Sequence, residues 1–145
     1  MKTNPSLFFD LLKGRWYIAR TLTPGGVFKG DAFFNEVNAG VLTYEEQGTL
    51  ILDDGTILNP SKRYQWREEE GNIALYFDDG VTKGTRFHTL NFIDKNRAEA
   101  EHLCGEDFYQ SEYQFNFPDT FTVIHTVKGP SKNYVSLSQF TRNSC

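Results

Sequence analysis

Eight residues, from His102 to Tyr109, carry a histidine, a cysteine, an aspartate and a tyrosine: His102, Cys104, Asp107 and Tyr109. These types admit three chemistries. A cysteine beside a histidine, with an aspartate to orient it, is the nucleophile–base set of thiol hydrolases. His102 and Cys104, joined by His88 and Asp107, are ligand types for zinc or iron. A histidine and a tyrosine in a pocket can exchange protons and hydrogen bonds with an organic molecule. The H-x-C spacing bears on the choice. Two residues apart on one strand, the side chains point the same way with Cα atoms roughly 6.6 Å apart. No oxyanion-hole motif accompanies the pair, and the spacing is not diagnostic of a metal site. The stretch therefore reads as a pocket wall, with a small buried Cys104 beside a hydrogen-bonded His102, and no metal site is assigned.

A wall needs strands to carry it, and the rest of the chain supplies them. "NPSLFFDLL" opens as a helix, with Asn4 as cap, Pro5 at the first helical position and Leu7, Phe8, Leu11 and Leu12 at helical spacing. Gly14 ends it. From there the period is two. "RWYIARTL", "VFKGDAFFNEV", "LTYEEQG", "TLIL", "KRYQWREE", "NIALYFDD", "TRFHTLNFI", "RAEAEHLC", "DFYQSEYQFN", "TFTVIHTVK" and "NYVSLSQFTR" alternate apolar and polar residues. They are separated by turns such as "PGG", "NAG", "DDG" and "DKN". About ten short strands at regular spacing predict an all-β fold, an antiparallel up-and-down barrel of about 8–10 strands with a short N-terminal helix. A two-sheet sandwich is the alternative. No linker or repeat divides the chain, so residues 1–145 are expected to form one domain.

Alternation also sorts the polar residues. Sharing the inner face with Trp16 is Arg20. Tyr44 and Glu46 share a face, as do Tyr64 and Trp66, and His88 falls in with Leu90 and Phe92. His102 and Cys104 follow Ala98 and Ala100, opposite Glu99 and Glu101. Asp107 and Tyr109 lead into Ser111, Tyr113 and Phe115, and Tyr134, Phe140 and Arg142 share a face of the last strand. Such an interior is too polar for a plain core, because buried polar groups must be hydrogen-bonded and buried charges paired. Two readings of Arg20, Glu46 and Arg142 stand: a structural ion-pair cluster near the closed end, or arginines that anchor a ligand's carboxylate or phosphate. Lys128 and Lys132, flanking the "GPS" turn, would add positive charge at one rim.

Composition narrows the partners. The chain has 145 residues, net charge −4 and pI near 5.3, with no basic stripe, which argues against nucleic acid. No run of about 18 apolar residues exists, so no membrane span is expected. The first residues lack a secretory h-region. The two cysteines, Cys104 and Cys145, read as free thiols of a reducing, cytoplasmic compartment.

Gly14-Arg15-Trp16, following the helix, resembles the G-x-W signature of lipocalin-like (calycin) barrels. Those proteins also carry an Arg late in the last strand, packed over that Trp, and Arg142 matches it. More broadly, "GRWYIAR", "GDAFF", "LTYEEQG", "YQWR", "FDDG", "FHTL", "HLCGEDFY" and "KGPSKNY…FTR" are similar to an uncharacterised calycin-like family of small, mostly bacterial, cytoplasmic proteins. The likeness runs from about Leu7 to Arg142. It implies a fold and a set of positions, and no reaction. Some calycin barrels hold haem through one lumen His, which would be His88 or His102 here. Family members often carry Trp where this chain has His125, which puts less weight on His125.

The leading expectation is a barrel that binds a small organic molecule, anionic or aromatic, in a pocket lined by Arg20, Tyr44, Trp66, His88, Cys104, Asp107, Tyr134 and Arg142. One alternative is an isomerase, cyclase or decarboxylase without a metal, with His102 or Glu46 as acid–base group and Tyr109 as hydrogen-bond donor. Another is a barrel with a filled lumen that makes protein contacts, such as a homodimer. The sequence names no cofactor.

Overall fold

The computed structural model describes residues 5–142. The expected cap Asn4 and the thiol of Cys145 lie outside them. Helix α1 (Pro5–Leu12) is followed by β1 (Gly14–Thr23), β2 (Gly26–Asn38), β3 (Val41–Leu52), β4 (Ile57–Leu58), β5 (Ser61–Glu69), β6 (Asn72–Phe77), β7 (Arg86–Asp94), β8 (Arg97–Cys104), β9 (Asp107–Asn116), β10 (Thr120–Lys128) and β11 (Asn133–Thr141). Each strand pairs antiparallel with its sequence neighbours, β5 passing over the two-residue β4 to pair with β3. β1 pairs with β11 as well as β2, and β2 with β3, so the sheet closes. The result is a ten-stranded antiparallel up-and-down barrel, as the alternation predicts, with β4 attached only to β3. Closure leaves no long edge unpaired among the described residues. Among the described residues no helix is long and apolar enough to cross a membrane.

The helix closes one end. Phe8, Phe9 and Leu12 are buried, whereas Leu7 is exposed, so the buried face is turned by about one position from the expected one. Phe8 meets Phe92, Phe115 and Phe117 edge-on. Trp16 is fully buried below the helix, and its indole N–H donates to the Leu12 carbonyl at 2.8 Å. Arg142 lies with its guanidinium 3.8 Å from the Trp16 ring centroid. Its N–H groups donate to the carbonyls of Leu11, Lys13 and Arg15 at 2.8–3.0 Å. One arginine thus satisfies the Leu11 carbonyl of the last helical turn and the carbonyls of Lys13 and Arg15 beyond it, and covers the tryptophan by a cation–π contact. This is the Gly14-Arg15-Trp16/Arg142 arrangement that the resemblance implied. Arg142 therefore does not join Arg20 and Glu46, and it does not line the cavity of the lumen.

Two local features depart from plain alternation. "LTYEEQG" and "TLIL" are one strand, because Gly48 lies within β3 opposite Gly30 of β2 and does not form a turn. A Cβ on Gly48 would run into the Lys29 carbonyl and stand 2.8 Å from the Phe28 ring. The glycine pair permits two backbones to approach where a side chain would not fit. Gly48→Ala should cost about 1–3 kcal/mol, read as a lower urea midpoint. An unchanged midpoint would show that the strands have room to part.

The second departure is a bulge between β6 and β7, where Leu75 pairs with His88 and Tyr76 with Arg86. Phe87 is the extra residue. Both Phe87 and His88 are buried as a result, with ring centroids 3.9 Å apart.

Candidate ligand-binding site

Opposite the helix the barrel is open. A cavity of about 430 Å³ runs down the lumen from a mouth where the exposed residues Lys62, Thr82, Cys104 and Lys132 line it. Deeper walls are aromatic and include Phe34, Trp66, Tyr113, Phe121 and Phe140. Phe121 and Phe140 stack at 4.2 Å, and Phe34 meets Trp66 edge-on. These rings belong to different strands and face inward by alternation, so the barrel's closure brings them together.

Arg20 and Glu46 form the central polar group. The guanidinium donates to both carboxylate oxygens, at 2.7 and 2.9 Å, and its Nε–H donates to Ser138 Oγ at 2.6 Å. Tyr44 donates its hydroxyl to Glu46 Oε1 at 2.5 Å. Burial disfavours the Glu46 carboxylate, but the hydrogen bonds and charge of Arg20, with Tyr44 and Lys62, outweigh it and hold its pKa below the ordinary value. For Tyr44 burial comes first and the Glu46 charge adds to it, so the phenol keeps its proton. The cluster satisfies itself. Three of the five Arg20 N–H groups reach Glu46 and Ser138, and its end-on fork is taken by Glu46 and its Nε–H by Ser138, so it offers no free fork to a ligand anion. Glu46 is held ionised, which suits it poorly to trading protons near neutral pH.

His125 of β10 occupies the wall above that cluster. Its Nδ1 lies 2.6 Å from Ser111 Oγ on β9. Burial first, then the nearby Arg20 charge, pushes its pKa down to about 4, with Glu46 opposing. Ser111 is buried, so the assignment without an unmet donor has its O–H donating to Nδ1. That places the ring proton on Nε2, and a neutral N–H donor on the cavity wall. The resemblance puts less weight on this residue than its place on the wall supports. Its signal was present in "TFTVIHTVK", where Phe121, Val123, His125 and Val127 fall on one face.

The other predicted residues divide. Trp66, Tyr109, Tyr134 and His102 line the cavity together with Arg20, Tyr44 and Glu46. His102 sits edge-on to Phe87 and Tyr109, at 5.2 and 5.9 Å. Tyr109 accepts a hydrogen bond from Lys132 Nζ at 3.1 Å. Burial raises the Tyr134 phenol, helped by Tyr109 and opposed by Lys132. Cys104 also lines the cavity, but at its mouth and exposed, which corrects the buried thiol expected beside His102. Alternation gives its face correctly, and its place at the last residue of β8 leaves it uncovered.

Three predicted residues stand outside the cavity. His88 is buried behind Phe87, which the bulge places on the cavity wall in its stead. Its Nε2 lies 2.7 Å from the Tyr113 hydroxyl, and Nδ1 has no partner among the described residues. Burial, then the charges His125 and His102 would carry, pushes its pKa down to about 3. Asp107 is buried as well, but its Oδ1 accepts from the backbone N–H groups of Ser131 and Lys132 at 3.1 and 3.3 Å. It braces the β10–β11 turn. Arg142 lies at the closed end. Among the described residues, no group of three or more His, Cys, Asp or Glu side chains is placed to hold a metal ion. Residues that sequence reasoning missed include Phe87, Lys62 and Ser136, besides His125.

The family of unknown function DUF6314 matches residues 12–142. The chain belongs to that family. Its match covers nearly the whole stretch in which sequence segments pointed to an uncharacterised family. No curated protein matches the chain. Among solved structures, the barrel is similar to the S-type phycobiliprotein lyase of Guillardia theta, at 13% identity and a TM-score of 0.68, covering 100% of this chain and 94% of the lyase. It is similar to EF1p2_mFAP2b, solved bound to DFHBI, at 14% identity and a TM-score of 0.52, covering 97% and 100%. A redesigned beta barrel is 16% identical with a TM-score of 0.51, covering 94% and 95%. At these identities the likeness is one of fold, and DUF6314 shares that fold with proteins of unrelated sequence.

Proposed function

We propose that this DUF6314 protein binds a small, partly polar aromatic molecule in the lumen of its barrel. One observation carries the reading: a cavity of about 430 Å³, reached from the mouth, whose aromatic walls hold a small number of polar groups. That volume is within the range of roughly 300–1,000 Å³ typical of small-molecule sites, which combine apolar walls with a few placed polar groups. A lumen filled by its own side chains, as a purely protein-contacting barrel would have, fits this less well. Flat ligands suit the ring-lined walls, and neutral His125 gives a ligand oxygen a donor. EF1p2_mFAP2b, a protein of this fold, binds DFHBI, and this compound is a first probe. A reaction in the lumen would have to draw on His125 or His102, since Glu46 is committed to Arg20.

The test joins native mass spectrometry of freshly purified protein to titration with DFHBI. The protein should carry a small molecule or bind DFHBI one to one. Ser136→Phe, which puts a ring into the cavity, should abolish binding. His125→Phe should weaken it about tenfold, the loss of one hydrogen bond. Absence of both a retained molecule and DFHBI binding, or binding undiminished in Ser136→Phe, would overturn the proposal.

A further inference from the structure

We infer that the ligand is an organic acid, bound with its anionic group at the mouth beside Lys62 and Lys132 and its apolar body in the lumen. This rests on the binding reading above. The cavity wall carries the cationic side chains Arg20, Lys62 and Lys132 and the carboxylate Glu46, in a chain whose net charge is −4. Arg20 and Glu46 neutralise each other. The two lysines remain, and neither makes an ion pair with a described residue. Both ammonium groups lie over aromatic wall residues: Lys62 is 5.7 Å from the Tyr64 ring and 5.8 Å from Phe77, and Lys132 is 5.7 Å from Tyr109. A ring laid against these walls brings an acidic substituent towards them.

Nearby carboxylates do not take up this charge. Asp107 is turned to the backbone N–H groups of Ser131 and Lys132, and Asp79 to that of Arg63. Glu46 faces Lys62 across the β3–β5 pairing but is already held by Arg20 and Tyr44. The orientation follows from the same charges. An anion placed deeper would meet Arg20 only by displacing Glu46, and an unpaired buried charge is costly. His125 and the serines at depth supply neutral partners, suited to a carbonyl or hydroxyl. The mouth supplies cations that make no ion pair with a described residue and remain in contact with water. An acid lying the other way round would lose both matches.

Two probes that differ by one acidic group separate the ideas: 8-anilinonaphthalene-1-sulfonate and its uncharged parent, N-phenyl-1-naphthylamine. The readout is the ratio of their dissociation constants in wild type and in the K62Q/K132Q variant. An exposed charge contact is worth up to about fivefold, so removing two should shift the ratio by about tenfold against the sulfonate. The uncharged probe should still bind the variant, which reports an intact lumen, and the ratio removes any loss common to both probes. Raising salt from about 0.05 to 0.5 M should weaken the sulfonate and spare the parent. A ratio unchanged by the double substitution would overturn the acid-outward inference while leaving lumen binding in place. Sulfonate binding that persists in Ser136→Phe would place the probe on the exterior and overturn it too. If neither probe binds wild type, the organic-acid inference falls, while the lumen-binding reading is decided separately by native mass spectrometry and DFHBI.

Discussion

Replacing Arg20 by Met should destabilise the barrel by about 3 kcal/mol, the lower end of what breaking a buried ion pair costs. The loss does not come chiefly from the missing attraction. Glu46 is 6% exposed and would be left beside Tyr44 and Ser138 without its cation. Its carboxylate, now held below the ordinary pKa by Arg20, would have its pKa pushed up by the burial that remains. The cavity borders the pair and gives water some access, which keeps the figure from the upper end. Arg20→Met with Glu46→Leu should recover most of the loss, because two apolar groups replace the pair without leaving a charge behind. Urea denaturation at pH 7 of the two variants measures both effects. A single variant within about 0.5 kcal/mol of wild type, the range of ordinary surface substitutions, would mean that the pair is not integral to the barrel.

Acid should destabilise the protein well before its carboxylates titrate. His88 and His125 have folded-state pKa values of about 3 and about 4, lowered chiefly by burial from an ordinary value near 6.5. Below pH 6.5 the unfolded chain binds protons at both positions and the folded chain does not. Stability therefore rises with pH through this window and falls as pH drops from 6.5 towards 4. At about 1.4 kcal/mol per pKa unit, the two together amount to about 3–5 kcal/mol between pH 7 and 4.5. The Arg20–Glu46 pair acts in the other window, its contribution fading only as pH falls through the lowered pKa of Glu46. Urea midpoints at intervals from pH 8 to 4.5 trace the curve. His88→Gln and His125→Gln should each flatten part of it. Stability that stays level between pH 7 and 5 would contradict the buried, neutral state of both rings.

The fold was legible because turns and two-residue periodicity repeat along nearly the whole chain. A barrel that closes on itself needs little more than strands of suitable length and inward apolar faces. Alternation reads a side chain's face well. It separated Ala98 and Ala100 from Glu99 and Glu101, and all four stand as expected. It does not read height along the barrel. Trp16 and Arg20 share a face but are four residues apart, roughly 13 Å along a strand. Arg142 reaches the first of these and not the second, which is why an apparent cluster of Arg20, Glu46 and Arg142 came apart. Cys104 failed in the same way, with the right face at an uncovered height. A bulge defeats alternation outright, since one extra residue puts Phe87 on the wall and His88 behind it. Gly48 read as punctuation because a close approach of two backbones and a turn ask for the same residue.

The pairing of β1 with β11 joins segments more than a hundred residues apart, from Tyr17 with Thr141 to Thr23 with Val135. The last described residue, Arg142, then fastens the helix that precedes β1. During synthesis β1 emerges early and can pair with β2, but its other edge has no partner until β11 has been made. Until then β1 and β10 both present rows of free N–H and C=O groups, the kind of edge that recruits other chains. Long-range closure of this sort is slow, because the entropy of bringing the ends together precedes the contacts that offset it. The architecture thus sets a schedule. The cavity of the lumen cannot exist as an enclosed space before the final strand is in place, and the interval before that is when the chain is most open to association with its own copies.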